Sequence, residues 1–228
     1  MEKFIKGWLS CWLYVITAIG SFLTILLIGN WNIWTMPTKL AVASVISLVL
    51  HVLEEWKFPG GFYYMYNLQH GSKEEIADRY PMNQLTDMLT NFIPIAFGCI
   101  MLCFGMPYIV CLIWFLLSAM EVVVHTLAGF QMKKRFAAKG KKTIYNPGFA
   151  TTYLCFLPVF IGFIISFFKY RMPTILEMLL AIVFTLIMAR ICINWAEDTF
   201  KSKNSPYPYN WGKGYFDKFV SSNQSVIK

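Results

Sequence analysis

The sequence predicts an all-α fold, a polytopic transmembrane helix bundle of about six spans with both termini cytoplasmic. Three observations predict it. The 228-residue chain is 57% hydrophobic and only 14% charged, whereas soluble domains carry about 25% charged residues. Its apolar residues are gathered into runs of roughly 20, the length a helix needs to cross ~30 Å of hydrocarbon. Its basic residues fall unequally on the links between those runs, the asymmetry that orients membrane proteins.

The runs lie at 8–29, 38–56, 85–104, 107–130, 149–168 and 174–197. The first follows Lys3 and Lys6 but is longer than the ~7–15 apolar residues of a signal peptide, so it is read as a retained span. Gly105 to Pro107 leave room only for a tight antiparallel hairpin between the third and fourth runs. The longer link from 57 to 84 holds FPGGFYYMYNLQHG and then SKEEIADRYPMNQLTD. It predicts an aromatic re-entrant or interfacial piece, then a short amphipathic helix opened by a Ser72–Glu75 capping box. Glu177, at the start of the last run, suits the positive end of a helix dipole. Residues 1–200 therefore form one transmembrane domain. The segment 201–228, rich in Pro, Tyr and Lys, is expected to lie along the cytoplasmic interface as an aromatic belt.

The formal net charge of +8 is explained by orientation. With the N-terminus inside, sixteen of the twenty Lys and Arg residues sit on cytoplasmic segments, and the opposite side keeps only Lys39, Lys169 and Arg171. Nucleic acid is not predicted as a partner. Membrane lipids are, with the basic 133–142 segment placed to meet anionic headgroups, and the expected location is the cell membrane. All six cysteines lie inside the proposed spans without a CxxC pair, so they are assigned no redox or metal role.

Against this apolar background the stretch LVLHVLEEWKFPG, residues 48–60, stands out. At 100° per residue, His51 lies about 40° from Glu55 and about 60° from Glu54, so all three share a helix face. The fourth run repeats the device in AMEVVVHTLAG, where Glu121 and His125 are four apart. Both runs travel toward the cytoplasm, which sets the two histidines at one level, roughly 10 Å inside the inner end. Asp87 and Asn91 at the start of the third run, and Asn194, Glu197 and Asp198 at the end of the sixth, gather at the same side. A charge in the membrane interior costs about 2.5–3.5 kcal/mol on insertion scales, so such a cluster needs compensation. One histidine–carboxylate pair explains itself as glue between helices. Two pairs at one depth offer a ligand set for a divalent metal, Zn, Fe or Mn.

HVLEE at 51–55, the polar residue four before His125, and YNPG at 145–148 together resemble the bacterial HXXEE-domain membrane proteins over roughly residues 40–170. The resemblance implies a helical membrane fold and a metal-dependent activity whose reaction is not established. In YNPG, Pro147 and Gly148 suit the central positions of a type II turn. That turn would set Tyr145 and Asn146 at the mouth of the bundle, where they could contact substrate.

The expected function is metal-assisted hydrolysis of an amphiphilic, lipid-like or membrane-anchored substrate. His51, Glu55 and His125 are the expected metal ligands and Glu54 or Glu121 the base. A proton- or metal-ion-conducting transporter is an alternative, disfavoured by the apolar outer halves of the spans. A membrane interaction protein without chemistry is another. Arg190, inside the sixth run, needs a carboxylate partner, Glu121 or Glu54, unless it snorkels to the interface. The roles of Asp87, Asn91 and Asn194 stay open.

Overall fold

The computed structural model describes residues 1–220, and the remainder of the 201–228 tail, residues 221–228, lies outside them. The described residues are helical throughout their ordered elements. Six helices are long and apolar enough to cross a membrane: α1 (Glu2–Gly29), α2 (Met36–Trp56), α4 (Gln84–Cys103), α5 (Tyr108–Arg135), α6 (Phe149–Lys169) and α7 (Ile175–Phe200). Among the described residues two short α-helices accompany them, α3 (Phe62–Gln69) between the second and third spans and α8 (Asp217–Val220) in the tail. The protein is a multi-pass, all-helical bundle, as its composition predicts.

Local chemistry sets the helix starts. Thr35 caps α2 by accepting the Thr38 N–H at 3.3 Å, with Pro37 in the first turn, where its missing donor costs nothing. Asn83 and Thr86 form a capping box on α4, and Thr174 and Glu177 form another on α7. The Ser72–Glu75 box does not form. Lys73 precedes only a single 3-10 turn, Glu74–Ile76, because the segment is wound around the buried Asn67 amide. That amide donates to the Ala77 and Met82 carbonyls at 2.8 and 2.9 Å and accepts the Met82 N–H at 2.8 Å.

α2 is the central helix. It packs on α1, α4, α5 and α6, while α7 packs against α5 and α4. The difference shows in burial, since 56% of the α2 span is buried but only 11% of the α7 span. Arg190 follows from this. It sits on the outward side of α7, paired with Asp198 at 3.2 Å, and reaches neither Glu121 nor Glu54.

The tail does more than line a surface. It crosses the end of the bundle where α1 begins and α7 finishes, henceforth the tail end. Tyr209 is buried, stacked on Tyr63 at 3.8 Å, and donates its hydroxyl to Asp87 Oδ2 at 2.5 Å. The other Asp87 oxygen accepts the Asn91 amide at 2.9 Å. The crossing is close: a Cβ on Gly61 would meet the Lys213 carbonyl oxygen at 2.2 Å, and one on Gly214 would meet the Gly60 oxygen at 2.3 Å. Tail and inter-span link thus interlock through glycines, and the tail is part of the core at this end.

Candidate metal centre

Four side chains converge between α2 and α5. His51 Nε2 lies 3.2 Å from Glu55 Oε1 and 3.5 Å from Glu121 Oε2, and His125 Nε2 lies 3.4 Å from each of the same two oxygens. The imidazoles meet edge to face with centroids 4.6 Å apart. The i,i+4 spacing within each helix supplies one histidine–glutamate pair apiece, and the packing of α2 on α5 joins the two pairs. Two ligands ~2.0–2.2 Å from a small cation at a tetrahedral angle are themselves ~3.3–3.6 Å apart, the spacing of these atoms. His51, Glu121 and His125 form the group with metal-holding geometry, one ligand atom from each lying within 4.8 Å of the others.

The proton positions follow from the partners on the far side of each ring. His51 Nδ1 lies 2.9 Å from Thr151 Oγ1. That hydroxyl has one proton, and its other close neighbours, Glu54 Oε2 at 2.6 Å and the Gly148 carbonyl at 3.2 Å, only accept. Toward His51 it must therefore accept, which puts the proton on Nδ1. His125 Nδ1 faces Asn146 Oδ1 at 3.3 Å while the Asn146 amide donates to the His125 carbonyl, also at 3.3 Å. Turning that amide over would set two acceptors against each other, so His125 also carries its proton on Nδ1. Both Nε2 atoms then face carboxylate oxygens. Four electron-rich atoms in contact require positive charge among them, either protons or a cation.

Gly148 closes the centre from the third side. The YNPG turn is the expected type II turn: the Phe149 N–H donates to the Asn146 carbonyl at 3.0 Å, and Gly148 has φ 90°. Its bare Cα is pressed into the site. A Cβ there would lie 2.3 Å from His125 Cε1, 2.7 Å from His51 Cε1 and 3.0 Å from Glu55 Oε1. Phe156 of α6 and Phe62 of α3 pack on His51 and His125 at 5.5 and 5.6 Å. The centre is thus walled by aromatic rings where no ligand atom stands.

Glu54 is close in sequence but turns elsewhere. Its carboxylate accepts from the Ala150 and Thr151 N–H groups at 3.1 and 2.7 Å, from the Thr151 hydroxyl, and from the Tyr145 hydroxyl at 3.0 Å. It caps the N-terminus of α6, where the free N–H groups and the helix dipole favour an anion. Tyr145 and Asn146, expected against substrate, have contacts that run inward, to Glu54 and His125. Sequence reasoning missed Thr151, Gly148 and Phe62. Gly148 alone had a visible signal, since the turn was legible, but its partner was not.

Near the turn, Lys141 faces inward instead of joining the exposed Lys133 and Lys134. It donates to the Tyr145 carbonyl and, at 3.1 Å, lies on the Tyr215 hydroxyl. Burial, aided by nearby Lys218, pushes its ammonium down to about 8. Of the other polar residues at this level, Glu197 accepts the Tyr66 hydroxyl at 2.6 Å and Asn194 is exposed.

A family model described as a protein of unknown function with HXXEE motif matches residues 42–163. The matched stretch contains all four converging side chains and every partner that orients them. No curated protein and no solved structure matches the chain.

Proposed function

The chain belongs to the HXXEE family, and from the geometry of its centre we propose that it is a metal-dependent membrane hydrolase acting on an amphiphilic substrate. The observation that carries the reading is the meeting of two imidazole Nε2 atoms and two carboxylate oxygens at 3.2–3.5 Å. Two carboxylates call for two positive charges, and one divalent cation supplies both in a single position. The bulk and borderline softness of this nitrogen and oxygen set suit zinc, iron or manganese. When bound, such an ion supplies Lewis acidity and lowers the pKa of its water toward 7.

The chain's own residues then take distinct roles. His51, His125 and Glu121 hold the ion. Glu55, with Oε1 beside both imidazoles, takes the proton of the attacking water and returns it to the leaving group, while the water oxygen joins the carbon of the cleaved bond. This moves Glu55 from ligand to base and Glu121 from base to ligand, and it relieves Glu54 of the base's role, because Glu54 is engaged in four hydrogen bonds at the α6 terminus. Thr151 and Asn146 hold the rings in the tautomer that leaves Nε2 free. The distribution of basic residues supports the tail end as cytoplasmic in the cell membrane, with Lys133 and Lys134 against anionic lipid headgroups.

The test is calorimetric titration of chelator-stripped protein with Zn²⁺ and Mn²⁺, repeated in buffers of different ionisation enthalpy. Saturable binding of one ion per chain, with proton release that His51→Ala abolishes, supports the reading. Absence of a saturable site for either metal overturns it.

A further inference from the structure

We infer that the centre is reached sideways, through a crevice between α4, α5 and α7, and that this route admits a single hydrocarbon chain. The end point rests on the metal-centre reading, but the crevice stands on its own geometry.

The side chains of the centre differ in how far they can be touched. The side chains of His51, Glu55 and His125 are 4% exposed or less, whereas that of Glu121 is 24% exposed. Approach from the tail end is closed by Phe62 over His125, by the fully buried Asn146, and by Gly148 pressed between the rings. Glu121 instead forms the inner wall of a crevice of about 120 Å³ whose other walls include Pro94, Phe97, Met188 and Ala189. Such a cavity needs ~10–15 Å³ to hold one water, so this volume is on the order of ten waters, room for a segment of one chain.

In the crevice wall the Thr90 and Asn91 side chains are already satisfied, while the buried Trp114 indole N–H has no hydrogen-bond partner. Thr90 donates its hydroxyl proton to the Thr86 and Cys192 carbonyls, both at 3.0 Å. The second of these belongs to the π-helical turn Arg190–Trp195, where the regular ladder is interrupted. Asn91 is held by Asp87. What remains for a ligand is a mainly apolar surface with one indole N–H, ending at one carboxylate. The occupant is therefore an unbranched fatty-acyl-type chain whose cleavable polar group lies at the chain's end, so that the chain fills the crevice as that group reaches Glu121. α7 is the wall least held by the rest of the bundle, which suits a side that must part to admit a chain.

The experiment is photolabelling in detergent micelles with a diazirine-bearing fatty alcohol, a probe with no metal affinity of its own, followed by peptide mapping. The expected result is several-fold enrichment of label on residues 185–193 and 90–97 over the outward face of α7 at Leu176. Ala189→Trp, which fills the crevice, should remove the enrichment, and Leu186→Trp, on the exposed face, should leave it. Retained metal content in Ala189→Trp reports that the fold is intact. Even labelling of all outward faces, or enrichment untouched by Ala189→Trp, overturns the proposal. A parent protein that holds no metal yet labels as expected would defeat the metal reading and leave the crevice standing.

Discussion

His51 Nδ1 on α2 lies 2.9 Å from Thr151 Oγ1 on α6, and the Thr151 proton is drawn toward Glu54 at 2.6 Å. The glutamate of the HVLEE stretch that does not face the centre therefore acts on it through an intermediary. It polarises a hydroxyl that fixes a tautomer, and the tautomer turns a lone pair into the site. Loss of such an orienting contact costs ~10–100-fold in metal affinity. Thr151→Val keeps the shape and removes the acceptor, so metal affinity should fall by that factor while Thr151→Ser restores it. Equal affinity in all three proteins, measured by competition with a chromogenic chelator, would remove Thr151 from the account.

Gly148→Ala should abolish metal binding, because the added methyl would stand 2.3 and 2.7 Å from the two Cε1 atoms. Gly148 also has a positive φ, which alone costs about 1 kcal/mol for alanine. Gly140→Ala separates the two effects, since Gly140 has φ 87° with nothing within 4 Å of the added carbon. The expected outcome is a small loss of thermal stability in Gly140→Ala, a larger one in Gly148→Ala from the added overpacking, and a loss of metal, beyond ~100-fold, in Gly148→Ala alone. Metal retained in Gly148→Ala would contradict the packing.

How much of this was legible without coordinates follows from the physics of each part. The spans could be read because hydrophobic length is a property of the local sequence, and the histidine–glutamate pairs because i,i+4 spacing is too. The convergence of His51 and His125 was reachable from topology, which sets both at one depth. The use of Glu54 as a helix cap was not, because it depends on the α6 terminus arriving beside α2 from almost a hundred residues away. The tail's docking through Tyr209 and Asp87 was hidden for the same reason. Its aromatic residues suit a membrane interface and a protein core equally well. Arg190 misled because a charge inside an apolar run implies burial, while α7 presents that side outward.

Glu55→Gln should keep the metal within a few fold and lose turnover. The carboxamide preserves volume but cannot accept a proton, and removing a general base costs ~10²–10⁴-fold in rate. The measurement is hydrolysis of a membrane-anchored ester beside metal content in the same preparation. A variant that keeps full activity would return Glu55 to a purely structural place.

Lys141 gives the tail end a pH signature. Its folded pKa is about 8 against 10.5 for the ordinary side chain, so between those values the unfolded chain binds a proton that the folded chain does not. Stability must then rise with pH across that window through this group. Melting curves of the parent from pH 8 to 10.5 should gain on those of Lys141→Met as pH increases. Parallel curves would mean that the ammonium is not buried as described.

The most direct test of the central claim is elemental analysis of purified protein grown with metal supplementation, set beside a His51→Ala/His125→Ala double variant of equal helicity. The parent should hold close to one zinc, iron or manganese ion per chain and the variant none. Metal absent from both, or present equally in both, would contradict it.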